Sequence, residues 1–410
     1  METIVIIEDN AEIRTLLQMR LREEGYTVHV AEDGEAGLAL VRAQRPRAVL
    51  LDLMMPKLHG YAVCQAICSD PALADTRVII SSAKGYPADK QKAHEMGAWA
   101  YLVKPYDFDE LASTLARAVE SVGPPMRVKF WGTRGSIPTP GRATQRYGGN
   151  TSCVEVRVGN DILMLDCGTG AREMGLALAS ESQGKPVEVH ILVGHTHWDH
   201  IQGFPFFQPA YGAGNRLTIY SLRGTDKSLE KVFTGQMDAS YFPVSVADMA
   251  AHLQFVELDG EVQIGGVRVS HVYLNHPGVA IGFRLTAGSK SLVYVSDHEP
   301  YWRMNGDNEH NRRLEKEIDD FARDADLYIR EAQYTPEEYR LKRTWGHSTW
   351  PDALDSAHSA GARRLALYHH DPQRSDDALD QIVRQCHQYM HEHAMVFNCL
   401  AAADNLELTL

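Results

Sequence analysis

The chain has 410 residues, 44% hydrophobic and 23% charged, with a formal net charge of −13. At roughly 100–200 residues per domain this length holds two or three domains, which excludes a small stapled scaffold. No run approaches the ~20 apolar residues of a membrane span, and the acidic balance argues against wrapping long nucleic acid. The six cysteines are scattered without a C-x-x-C pair, so neither a disulfide framework nor a thiolate metal site is expected, and each reads as a small core residue. METIVIIEDN lacks the basic start and small-residue cleavage site of a signal peptide, which makes the cytoplasm the expected location.

From the amino terminus to Val122, short apolar runs alternate with amphipathic stretches. TIVIIED, YTVHVAE, RAVLLDL, TRVIISS and AYLVKP read as strands. Between and after them, AEIRTLLQMRLREEG, GEAGLALVRAQ, GYAVCQAICSD, DKQKAHEMG and FDELASTLARAVESV space apolar residues as helices do. The alternation predicts a doubly wound parallel α/β sheet over residues 1–122, with its ligand site at the carboxyl ends of the strands. Those ends carry Glu8, Asp9, Asp52, Ser82 and Lys104. Grouped carboxylates hold a hard ion such as Mg²⁺ and draw a phosphoryl group onto one of their number, while Lys104 neutralises its oxygens and Ser82 bonds to them. The pattern resembles the flavodoxin-like receiver domain of bacterial response regulators, on Glu8-Asp9, Asp52 in LLDLMMPKLHG, Ser82 in SSAKG, and Tyr101 and Lys104-Pro105 in AYLVKPY. That resemblance implies phosphorylation of Asp52 by a histidine kinase, Mg²⁺ at Glu8, Asp9 and Asp52, and movement of Ser82 and Tyr101 to report it.

Gly123-Pro124-Pro125 breaks the last helix, so residues 123–126 read as a short, stiff linker and 127–410 as a second domain. Its first two thirds are β-rich: RVKFWGTRG, TSCVEVRV, DILMLDCG, VEVHILVGH, RLTIYSLRG, EVQIGGVRVSHVYL, AIGFRLTA and KSLVYVSD. Helical EHNRRLEKEIDDFARDA, PDALDSAHSAG and SDDALDQIVRQCHQYMHE come later, a pattern that predicts helices outside two sheets. Of the 19 histidines, 13 lie between His190 and His370. In VEVHILVGHTHWDHIQGFP an apolar strand runs into His195, His197, Asp199 and His200, a polar cluster that would be costly without a metal. His276, Asp297 and His369 follow other apolar runs, with His298 and His370 as adjacent competitors, and Asp166 ends a strand in the same manner.

The set H-x-H-x-D-H, His, Asp, His resembles the metallo-β-lactamase superfamily, an αββα sandwich. The resemblance implies one metal at His195, His197 and His276, another at Asp199, His200 and His369, Asp297 bridging them, and Asp166 bracing the ligand loop. Zinc, manganese and iron all suit such donors. Two divalent ions there would activate water and clamp the oxygens of a phosphodiester. LYIREAQYTPEEY and WGHSTW resemble the phosphodiesterase branch that includes ribonuclease Z and the cyclic-phosphate and cyclic-nucleotide phosphodiesterases. By that likeness Glu331 orients His347, which donates a proton to the leaving alkoxide. Arg330 and Gln333 depart from the ribonuclease Z motif, and no long basic glycine-rich arm is present. Phe204, Phe206, Phe207 and Tyr241-Phe242 are suited either to stacking a base or to filling a core.

The expectation is a two-component response regulator with a phosphodiesterase output, in which Asp199, His347 and Glu331 serve catalysis on a cyclic nucleotide or related small nucleotide signal. The alternatives are an RNA-processing nuclease, a carbonyl-ester or thioester hydrolase, and a catalytically silent signalling module. Phosphorylation is expected to shift a domain interface or a homodimer.

Overall fold

Ile4 and Ile6 face one side of their strand and Val5 and Ile7 the other, and all four are fully buried. A strand apolar on both faces belongs inside a sheet covered on both sides, and the computed structural model places it there. The structure describes residues 2–122, 125–223 and 227–410, so the first two residues of the expected linker, Gly123 and Pro124, lie outside the described residues. The chain divides into two compact units, Met1–Gly123 and Pro124–Leu410.

In the first unit β1 (Thr3–Ile7), β2 (Thr27–Ala31), β3 (Ala48–Asp52), β4 (Arg77–Ser82) and β5 (Ala100–Val103) form one sheet of order β2-β1-β3-β4-β5. Every pairing is parallel. Val5, Ile7, Val49, Leu51 and Ile80 build the core on one face, and Ile4, Ile6, Leu50, Ile79 and Leu102 build that on the other. Helices start where the sequence supplies caps: the Asn10 side chain accepts from the amides of Glu12 and Ile13 at 3.0 and 3.1 Å, and Asp33 caps Gly34–Gln44. The strand order reverses between β1 and β3, and the crevice at that switch point lies beside their carboxyl ends.

The second unit is two stacked sheets. One contains β6 (Met126–Gly132), β7 (Cys153–Val158), β8 (Asp161–Leu165), β9 (Glu188–Leu192), β10 (Arg216–Ser221) and β11 (His252–Glu257). The other holds β12 (Val262–Ile264), β13 (Val267–Tyr273), β14 (Ile281–Ala287), β15 (Lys290–Val295), β16 (Leu327–Glu331), β17 (Arg364–Tyr368) and β18 (Asn398–Ala401), in chain order. The last strand, β19 (Glu407–Thr409), returns to the first sheet and pairs antiparallel with β6. EVQIGGVRVSHVYL is thus a hairpin of two strands, while β11, β16, β18 and β19 had no place among the expected strands.

Phe130, Val156 and Leu165 from one sheet meet Phe283, Leu285 and Ile329 from the other in a central core. Helix Gly170–Ser182 covers the first sheet through Met174 and Leu178. Helices Glu309–Phe321, Trp350–Ala360 and Asp376–Glu392 cover the second through Ile318, Leu354 and Ile382. The layering is αββα. All six cysteines are free, and five are buried; Cys68, exposed on its helix, departs from the core reading because the helix Gly60–Cys68 ends there and leaves it uncovered. Among the described residues no helix is long and apolar enough to cross a membrane.

Candidate functional site

The carboxyl ends of β1, β3, β4 and β5 bring Glu8, Asp9, Asp52, Ser82 and Lys104 to one edge of the first sheet. Oxygens of Glu8, Asp9 and Asp52 lie within 4.8 Å of one another. Lys104 Nζ sits 2.7 Å from Glu8 Oε2 and 2.7 Å from Asp52 Oδ2, while the Met54 amide donates to Asp52 Oδ1 at 2.9 Å. Burial pulls the Lys104 ammonium down, but Asp52 and Glu8 outweigh it and keep its pKa above the ordinary value. The buried Ser82 hydroxyl accepts from the Lys84 amide at 3.2 Å, and the Tyr101 hydroxyl donates to the Lys84 carbonyl at 2.7 Å. Ser82 and Tyr101 therefore hold the same loop residue from two sides.

In the second unit the polar cluster also lies beyond strand ends. β9 stops at Leu192, and His195 and His197 follow on the loop before the short helix Trp198–Ile201, which carries Asp199 and His200. His276 follows β13, Asp297 follows β15, Glu331 closes β16 and His369 follows β17. Donor atoms of His195, His197 and His276 lie within 4.8 Å of each other, as do those of Asp199, His200 and His369. Asp297 reaches both groups, with carboxylate oxygens 3.2 Å from His200 Nε2, 3.4 Å from His369 Nε2 and 4.0 Å from His195 Nε2.

Each ring is aimed by what holds its outer nitrogen. His200 Nδ1 donates to Asp166 Oδ2 at 2.6 Å, and that carboxylate also accepts from Tyr294 at 2.6 Å and from the Gly194 amide at 2.7 Å. His276 Nδ1 donates to the Gly346 carbonyl and His369 Nδ1 to Gln333 Oε1, each at 2.9 Å. All three rings thus present Nε2 inward. Gly135 lies against the His369 ring, where a side chain would collide, and Gly346, at φ +86, lies equally close to His276. His369 and Asp166 themselves adopt left-handed backbone, φ 55 and 57, a region that aspartate and histidine enter more readily than most residues with a side chain.

The donor set fits divalent metals on several grounds. Among the described residues neither ring nitrogen of buried His195 has a hydrogen-bond partner. His200 Nε2 lies 3.2 Å from His369 Nε2, and His276 Nε2 3.1 Å from His197 Nδ1, distances at which two imidazole lone pairs need a proton or a cation between them. Burial, reinforced by His200, holds the His195 imidazole well below its usual pKa, in the neutral ligating form.

His347 stacks on His369 at 5.1 Å. Its Nδ1 is 3.6 Å from Asp297 Oδ1 and 3.9 Å from Glu331 Oε1, so no hydrogen bond joins it to Glu331. Glu331 instead accepts from the amides of His298, Ser348 and Gln333 at 3.1, 2.6 and 3.2 Å. Burial pushes the Glu331 carboxyl up and the His347 imidazole down. The two competitors are engaged elsewhere: His370 Nε2 donates to the Ala402 carbonyl at 2.9 Å, and His298 Nε2 lies 3.1 Å from Glu315. A cleft of about 460 Å³ opens over the cluster, lined by Ser136, Thr196, His197, Trp198, Asp199, Asp297, His347 and His369. Phe204 and Phe207 are core residues, whereas Phe206, in edge contact with Phe242, and Tyr241 are exposed. Gln333, Gly135, Ser136 and Trp198 were not singled out as site residues; only the departure at Gln333 and the G-T-R-G-S run hinted at them.

Fold and site together define a response regulator receiver domain joined to a metallo-β-lactamase-fold domain. The chain belongs to the beta-lactamase superfamily: the profile described as "Beta-lactamase superfamily domain" matches residues 162–370, and "Response regulator receiver domain" matches residues 4–116. The "Probable transcriptional regulator ycf27" of Guillardia theta is 44% identical over 118 residues, 29% of this chain and 45% of that protein. The "DNA-binding dual master transcriptional regulator RpaA" of a Synechocystis strain is 40% identical over 111 residues, 27% of this chain and 46% of that one. The chain therefore spans about half the length of these curated relatives. The metallo-beta-lactamase fold protein YhfI from Bacillus subtilis is similar over 70% of this chain and 100% of its own, with a TM-score of 0.50 and 19% identity, a likeness of fold alone. The receiver domain implies a phosphorylating histidine kinase as partner, and the second fold implies divalent metals.

Proposed function

We propose that this chain is a two-component response regulator with a dinuclear-metal phosphodiesterase output, acting on a small phosphodiester of the cyclic-nucleotide or related nucleotide-signal class. The observation that carries the reading is Asp297, whose carboxylate approaches ring nitrogens from both histidine groups. His195, His197 and His276 would hold one ion, Asp199, His200 and His369 the other, and Asp297 both, with zinc, manganese or iron as the metal. Bound divalent ions supply Lewis acidity toward a phosphoryl oxygen and lower the pKa of water.

The chain's own residues do the rest. Asp166 fixes the His200 tautomer and Gln333 that of His369. His347 turns Nδ1 toward Asp297 and Glu331, and the Asp297 carboxylate, which opposes the effect of burial, would favour the imidazolium whose Nε2 proton passes to the departing alkoxide oxygen. Glu331, itself fixed by three backbone amides, sets the position of that ring's neighbours.

In the receiver, a kinase phosphohistidine would transfer its phosphoryl group to an Asp52 oxygen, with Mg²⁺ at Glu8, Asp9 and Asp52 and Lys104 against the new charge. Ser82 and Tyr101 release their hold on Lys84 as they turn to it. This receiver spans residues 1–122 and the hydrolase residues 127–410, in a protein of the cytoplasm. The test is turnover of a panel of cyclic mono- and dinucleotides by metal-assayed protein, with and without beryllofluoride. Hydrolysis of one nucleotide, altered by beryllofluoride, is the expected result; a protein with both ions and no turnover of any would overturn the reading.

A further inference from the structure

Among the described residues, the cleft over the histidine cluster is lined almost wholly by polar and ionisable groups, and Trp198 supplies the one large apolar surface. The residue is 80% exposed, although it sits between His197 and Asp199 in the most constrained part of the site. A solvent-facing indole usually finds a covering partner, because leaving its broad apolar faces in water forgoes a large burial gain. The backbone beneath this one is pinned: the His197 carbonyl accepts from the His200 amide at 3.0 Å, and the Trp198 carbonyl from the Gln202 amide at 2.7 Å. The indole is therefore carried on a rigid turn at the rim of the cleft.

We infer that Trp198 is a stacking platform for a planar ring on the substrate, so that this site selects phosphodiesters bearing a nucleobase over ring-free ones. The inference rests on the phosphodiesterase reading and adds the residue that recognises the base. Polar groups on the cleft floor receive the phosphate end of such a molecule, and the indole face receives the base at the other end. Stacking tolerates every base, since each has a π face, so Trp198 selects for a ring and not for a particular base.

Product binding tests this without requiring turnover. Full-length, metal-loaded protein is titrated calorimetrically with adenosine 5′-monophosphate and with ribose 5-phosphate, which share the phosphate and sugar and differ in the base. The wild-type chain should bind the nucleotide about tenfold more tightly, Trp198→Ala should shrink that preference to within about threefold, and Trp198→Phe should keep it. Metal content and the affinity for ribose 5-phosphate should not move in either variant, which a general structural defect would not allow. Equal wild-type affinity for the two ligands, or a preference that survives Trp198→Ala, overturns the stacking role while leaving the phosphate site standing. Failure of the wild-type protein to bind either ligand overturns the phosphodiesterase reading, and this inference with it.

Discussion

His200 donates its Nδ1 proton to Asp166 across 2.6 Å, and both side chains are fully buried. The carboxylate is not within the histidine cluster, yet it decides which ring nitrogen His200 turns inward. Asp166→Asn keeps the volume and removes one acceptor from a group that serves His200, Tyr294 and Gly194. Metal affinity of the second unit should weaken by about 10–100-fold. Metal analysis after titration with a competing chelator measures it, and circular dichroism should show the fold retained.

Asp199 and His347 face the same cleft but should fail differently. Asp199→Ala removes a proposed ligand and should lower both metal content and turnover, the latter by about 10³-fold. His347→Ala should lower kcat by about 10²–10⁴-fold with metal content intact. Loss of an ion in the His347 variant would instead make that ring a ligand, a role its proximity to His276 and Asp297 permits.

Asp52→Asn should abolish phosphoryl uptake from a small phosphodonor, read as the loss of the retarded band on a phosphate-affinity gel. Ser82→Ala should still take up the phosphoryl group, since Lys104 contacts Asp52 directly at 2.7 Å, but its turnover should no longer respond to phosphorylation. A Ser82 variant that responds normally would remove the hydroxyl from the signalling path.

Burial pushes the Asp404 carboxyl up to about 6, against hydrogen bonds from Asn150 and Thr133. The folded chain then holds a proton that the unfolded chain, with an ordinary carboxyl, has already released, so this group stabilises most below about pH 4 and its contribution is lost as pH rises through about 6. Up to about 3 kcal/mol is at stake. Asp404→Asn keeps an acceptor for Asn150 and removes the titration. Thermal unfolding of both proteins from pH 4 to 7 should show the variant gaining on the wild type as pH rises.

Much of this was legible in the sequence because strand ends are conspicuous. The runs ending at Ile7 and Leu51 are continuously apolar, being buried on both faces, the strand ending at Leu192 closes on buried Ile191 and Leu192, and polar residues that follow such a run stand out against it. Other features depend on distant parts of the chain. Gln333 reaches His369 only because β16 and β17 pair in parallel with Glu331 opposite Tyr368, a register no local pattern specifies. β19 has three residues with its ends exposed, and nothing in ELT distinguishes it from a loop until β6 is beside it. Trp198 sits inside a recognisable motif, but motif spacing carries no information on exposure.

The pairing of β19 with β6 also governs when this sandwich can be completed in a growing chain. β6 is the first strand of its unit to be synthesised and β19 the last, with Leu408 opposite Val128. At ~5–20 residues per second, translation takes about 15–55 s to pass from Gly132 to Glu407. Throughout that interval one edge of β6 has unpaired amides and carbonyls, an invitation to a neighbouring nascent chain. Premature termination before Glu407 would leave that edge permanently open, so on a polysome the sandwich is protected only once its final turn of chain has left the ribosome.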